Sequence, residues 1–249
     1  MTTIQKRIKY GLRSKNNPWR NTRQDKEIPW NKILSAVFMI ILPIVVVCLS
    51  TNAVLRMGSF YSFAFEKTGV VSEIPFSISH DSLVNTFSDF MVHKTGQFQL
   101  IEDTEYMPQK LFNEKDQWIM NTIRLILDIL LLLTIALFIF ATIIFVHMLK
   151  VSEKALIYDR AKKGVVIFSI LAAINFIICI IPGSFPAIIR LLFGSEFIPG
   201  DVIIQILETK VPMYLGIWQL VSSIAIMTVI GYVIHSHASR RKMFRKVEE

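Results

Sequence analysis

Residues Asn113–Leu149, NEKDQWIMNTIRLILDILLLLTIALFIFATIIFVHML, decide the fold. Asn113 followed three residues later by Asp116 resembles a capping box, in which each side chain takes a backbone N–H of the other residue, so the spacing predicts a helix start. A helix running on to Leu149 would have about 36 residues and measure about 54 Å, against a bilayer hydrocarbon core of about 30 Å. Its first two turns must then stand clear of the membrane. That places Glu114, Lys115, Asp116 and Trp118 above the surface, Arg124 at the interface and Asp128 one turn deeper. Acids within a span are costly and are functional candidates for that reason. Arg124 and Asp128 are also four residues apart on one helix face, the spacing of an ion pair.

Three further apolar runs, Ile33–Leu55, Val165–Ile181 and Tyr214–Ile234, accompany Leu125–Leu149, each close to the length of a membrane span with at most one charge. The fold expected is an all-α membrane protein with four transmembrane helices and a small, mainly helical extracellular domain between the first two. The divisions are a basic segment 1–32, spans 33–56, 121–149, 165–182 and 212–236, an outer domain 57–120, a loop 150–164, an outer loop 183–211 and a basic tail 237–249.

Lys and Arg beside spans are retained in the cytoplasm, which orients the chain. Residues 1–32 carry nine Lys or Arg against Asp25 and Glu27, and the 150–164 loop and the tail are also basic. Residues 57–120 instead hold Lys67, Lys94, Lys110 and Lys115 against nine acids. Both termini are therefore predicted in the cytoplasm of a cell-membrane, multi-pass protein. The net charge of +8 is spread over membrane-flanking segments, where it fixes topology and touches anionic lipid. No nucleic-acid recognition fold accompanies it, so nucleic acid is not an expected partner.

Both cysteines, Cys48 and Cys179, fall inside spans, so no disulfide can staple the outer regions, which must be held by packing. In the outer domain, Ser79 is a candidate N-cap for a helix to about His93, with Leu83, Val84, Phe87, Phe90 and Met91 as its packed stripe. Gly96 would end it, and Gln97–Ile101 alternates like a short strand. Glu102, Asp103 and Glu105 lack the ligand spacing of a calcium loop and read as a solvated turn. No metal or cofactor is implied. Pro182-Gly183-Ser184-Phe185-Pro186 must break the third span, after which Ala187–Phe193 can lie along the outer interface. Asn175 and Gln219 are placed to hydrogen-bond between helices.

Phe60-Tyr61, the Ser79–Val92 helix, the stretch Leu111–Arg124 and Phe193-Gly194-Ser195-Glu196-Phe197-Ile198-Pro199-Gly200-Asp201 resemble the Gram-positive lipoprotein intramolecular transacylase family and its integral membrane relatives. The likeness covers roughly residues 33–234, including the order of spans. The resemblance implies an enzyme at the outer leaflet that moves an acyl chain from the diacylglyceryl group of a lipoprotein's N-terminal cysteine to that cysteine's amino group. In the family, the first motif reads Phe-Asn-Glu-Arg-Glu, two residues, His-Met, one residue, Asp-Val-Lys. The second reads Phe-His, two residues, Phe-Phe, with an Asp nearby. Two histidines would supply the acid–base or nucleophile chemistry.

Here Ile119 and Gly194 stand at the histidine positions, and Thr122 replaces the Asp. Phe112, Asn113, Glu114, Met120, Phe193, Phe197 and Asp201 are retained, with Lys115, Asp116 and Arg124 as conservative replacements. Three functions fit: a non-catalytic relative that binds lipid, lipoprotein or a membrane partner at its outer face; an acyltransferase with a divergent set such as His80, His93, Glu114 and Asp201; or an adaptor or accessory subunit. The binding candidates are Phe112, Asn113, Glu114, Trp118, Arg124, Asp128, Phe193, Phe197 and Asp201. A histidine beside Glu114 would favour the enzyme. A dry, apolar cleft without titratable partners would favour the non-catalytic reading.

Overall fold

The computed structural model describes residues 30–73, 78–103, 108–151, 154–193 and 201–239. In chain order these form α1 (Trp30–Leu55), α2 (Gly58–Thr68), α3 (Val70–Glu73), α4 (His80–Met91), a hairpin of β1 (Ile101–Asp103) and β2 (Pro108–Lys110), α5 (Glu114–Lys150), α6 (Lys154–Ile180), α7 (Ser184–Phe193), α8 (Val202–Glu208) and α9 (Val211–Ser239). Helices α1, α5, α6 and α9 are long and apolar enough to cross a membrane, which gives the expected all-α, four-span architecture. The capping box also forms. Asn113 accepts the Asp116 N–H at 2.7 Å, the Asp116 carboxylate accepts the Asn113 N–H at 3.4 Å, and α5 runs on for 37 residues.

Helix α1 is the centre of the bundle and packs on α5, α6 and α9. Its Pro43 has no N–H to give the Met39 carbonyl four residues earlier. Gly164 of α6 comes up to that carbonyl, where a Cβ would stand 3.2 Å from the oxygen. Gly216 of α9 meets α6 more tightly still, since a Cβ there would fall 2.6 Å from the Cβ of Cys179. Around this seam α5 presents Leu125, Ile129, Leu132 and Phe138 outward, an apolar surface of the kind a bilayer covers. Helix α6 begins at Lys154, eleven residues before the expected span, so most of the 150–164 segment is helix and not loop. Ile157 and Ala161 bury one face there, and the Lys163–Asp159 pair at 2.9 Å supports the other.

At one end the bundle carries a cap made of α2–α4, the hairpin, the first turns of α5, and α8. Rings fill it. Phe87 meets Phe65 and Phe98 at centroid distances of 5.2 and 5.0 Å, and Phe98 meets Phe112 at 4.2 Å. The predicted stripe Leu83, Val84, Phe87, Phe90 and Met91 is buried in this core, as a packed face should be. Burial pushes the Tyr61 phenol well above its usual range, and its hydroxyl donates to the Leu55 carbonyl at 2.7 Å, pinning α2 to the end of α1.

Two local expectations change. Ser79 caps α4, its hydroxyl accepting the Ser82 N–H, but the helix ends at Met91 and not at Gly96. The terminator is His93, held at φ 64°, with the Lys94 N–H bonded to Asp89 O and the His93 N–H to Phe90 O, the pairing that glycine usually closes. The strand expected at 97–101 is shifted: Ile101–Asp103 pairs antiparallel with Pro108–Lys110. After Ile180 the chain turns through Gly183 at φ 77° into α7, which exposes Ile188 and Leu191.

Candidate functional site

Where the cap sits on the bundle, α1, α2 and α4–α9 line a cavity of about 190 Å³. Its walls are apolar, with Leu55, Phe87, Met120, Cys179, Leu207 and Leu215 among them. A dry apolar cavity of about 150 Å³ suffices for a benzene-sized guest, so this one admits a ring or the end of a hydrocarbon chain. None of its lining residues is a Lys, Arg, His, Asp or Glu.

Its floor is polar. Thr51, Asn175 and Gln219 each lie one helical turn deeper than a wall residue, namely Leu55, Cys179 and Leu215. Asn175 donates to Gln219 Oε1 at 2.6 Å, Gln219 donates to the Thr51 hydroxyl, and Thr51 donates to the Val47 carbonyl at 2.9 Å. The interhelical role expected of Asn175 and Gln219 is thus realised, with Thr51 as the member that sequence reasoning missed. Such a relay joins α1, α6 and α9 and seals the cavity from below.

Beside the cavity is a second cluster. Asp128 does not take Arg124 as its partner, which corrects the expected pairing. Arg56, from the end of α1, binds the Asp128 carboxylate at 2.6 Å and the Met91 carbonyl at 2.9 Å, and His93 Nε2 donates to Asp128 at 3.1 Å. Arg124 instead lies 4.0 Å from the Phe90 ring centroid and donates to the Phe90 and Thr95 carbonyls at 3.3 and 3.2 Å. The reason is the C-terminus of α4, whose carbonyls have no helical donors and attract cations. Two arginines therefore clasp α4 onto α1 and α5. The strained His93 conformation is held by the same clasp. Replacing Asp128 by Ala should lower stability in detergent by about 1–2 kcal/mol, because it strands a largely buried Arg56, discounted for partial exposure. Thermal unfolding of Asp128→Ala, Arg56→Met and the double variant checks this, with the double expected to be milder than Asp128→Ala.

The remaining candidates fall into separate places. His80 is the first residue of α4, its Nε2 donating to the Ser62 carbonyl at 3.2 Å, and it lies a 12-residue helix away from His93, roughly 18 Å. Glu114 is exposed at the start of α5. Asp201, at the start of α8, accepts from Asn113 at 3.1 Å and pairs with Lys115 at 3.4 Å, while buried Asp116 accepts the Ile203 N–H at 3.3 Å. Asn113, Lys115, Asp116 and Asp201 thus join α5 to α8. Phe112 is buried in the ring core, and Trp118 is exposed on the first turns of α5. Ile119 is fully buried in the cap core. Helix α7 ends at Phe193, and Gly194 and Phe197 lie outside the described residues. His80, His93, Glu114 and Asp201 are not brought together around one point. No protein-family model, curated protein or solved structure matches the chain.

Proposed function

We propose that the protein is a non-catalytic relative of the lipoprotein intramolecular transacylase family that holds the acyl chain of a lipid or lipoprotein in the cavity beneath its cap, with the cap outside the cell and both termini in the cytoplasm. The observation that carries the reading is the lining: apolar walls, an amide and hydroxyl floor, and no histidine, lysine or carboxylate to serve as general base. Acyl transfer to an amine needs such a group, whereas sequestering a chain needs only apolar area, at about 0.8 kcal/mol per methylene. Uncharged, already hydrogen-bonded residues at the floor suit a neutral chain and penalise a buried charge.

A second reading, an active acyltransferase with a divergent site, is favoured by the His93–Asp128 contact, since a carboxylate beside an imidazole is a general-base arrangement. Arg56 already matches Asp128, and the contact is accounted for by the α4 clasp. The two readings separate in a strain whose lipoproteins are diacylated. Mass spectrometry of a reporter lipoprotein's N-terminal peptide should be unchanged when this protein is expressed. An N-acyl, monoacylglyceryl form that disappears with His93→Ala would establish the enzyme.

A further inference from the structure

At the end of the bundle away from the cap, α1, α6 and α9 leave a cleft of about 80 Å³ walled by Leu42, Val165, Met227, Ile230 and Ile234. Gly231 lies on it, and a Cβ built there would meet no atom within 4 Å, so the missing side chain leaves the groove open. Tyr158 and Lys162 of α6 also line it, and His235 of α9 lies beside Tyr158. The Lys162 ammonium lies 4.5 Å from the Tyr158 ring centroid, and the centroid of the His235 ring lies 5.9 Å from the same point. Lys163, next in sequence, is matched by Asp159, whereas among the described residues no carboxylate pairs with Lys162. An apolar groove that ends in an aromatic ring and a cation without a direct ion pair reproduces the profile of a phospholipid: hydrocarbon, interface, phosphate.

We propose that this cleft binds one anionic phospholipid from the adjacent leaflet, with a chain along Met227, Ile230 and Gly231 and the phosphate at Lys162. Charge complementarity chooses this occupant over a second copy of the chain, because a copy of this basic rim would repel it. Tyr158 holds the ammonium over its face at the height where a headgroup lies, so little side-chain freedom remains to be lost on binding. The site is at the opposite end from the cap cavity and stands whether or not that cavity holds an acyl chain.

The test is photo-crosslinking of the full-length protein in nanodiscs containing phosphatidylglycerol or phosphatidylcholine with a chain-terminal diazirine, read by mass spectrometry of the α9 peptide covering residues 226–234. Phosphatidylglycerol should label that peptide on the order of five- to tenfold more than phosphatidylcholine. Lys162→Gln should bring the ratio towards one, and Gly231→Leu, which fills open space, should remove the adduct from both lipids while the circular dichroism stays unchanged. Equal labelling by the two lipids in the unmodified protein would overturn the proposal, as would a ratio that survives Lys162→Gln or an adduct that survives Gly231→Leu. Because the readout is confined to this peptide, binding elsewhere on the basic surface does not count towards it.

Discussion

Replacing Ile119 by histidine is expected to destabilise the protein by about 3–5 kcal/mol and to confer no transacylation, although it restores the residue that the resembled family has there. Ile119 is fully buried, in one core with Phe112, Met120 and Ile203. Losing that burial costs about 1.5–3 kcal/mol, and an imidazole without hydrogen-bond partners adds about 1–3 kcal/mol more. The sum is a large part of an ordinary domain's stability. A ring sealed in that core also reaches no substrate, as Ile119 does not line the cavity. Thermal unfolding in detergent, with the reporter lipoprotein measured in parallel, gives both readouts. An Ile119→His protein as stable as the parent would mean that the position opens to solvent or to the membrane.

Gly216→Leu is expected to be comparably severe, by a different route. The obstacle is the Cβ of Cys179, only 2.6 Å from where a new Cβ must stand, and that atom is fixed to the α6 backbone and cannot swing aside as a side-chain tip could. Helices α6 and α9 would have to separate, and overpacking of this kind costs about 1–3 kcal/mol or more. The separation would also pull Asn175 away from Gln219 and open the cavity floor, leaving amides without partners in an apolar setting. Gly216→Ala should show the same effect at smaller size, and Cys179→Gly should relieve it in part. Unfolding temperatures of the three variants decide it. Full stability of Gly216→Leu would show that α6 and α9 do not cross this closely.

What could be read from the sequence is what local physics encodes. The Asn113–Asp116 box, the Ser79 cap and the four apolar runs each depend on residues within a turn or a span of one another, and each appears where expected. Asn175 and Gln219 were legible because an amide in an apolar run has few partners other than another helix. Asp128 was not. Its partner Arg56 is 72 residues away, while Arg124, at the favoured four-residue spacing, is drawn off by the α4 carbonyls. His93 is expected near the end of the helix, with Gly96 as its terminator, yet His93 closes the helix itself in a conformation usual for glycine. The cavity was out of reach for the same reason as Arg56: Leu55, Met120, Cys179 and Leu215 lie in four different helices, and only the tertiary fold makes them neighbours.

Whether the space beneath the cap holds a neutral acyl chain is decided by native mass spectrometry of the detergent-purified full chain mixed with a diacylglyceryl lipopeptide, alongside Leu207→Trp. Leu207 lines the cavity and is only partly buried, so tryptophan fills the space from an edge that can accommodate it. One lipopeptide should be retained per chain and lost in Leu207→Trp at unchanged unfolding temperature. Absence of retention by the unmodified protein, or equal retention by Leu207→Trp, would contradict it.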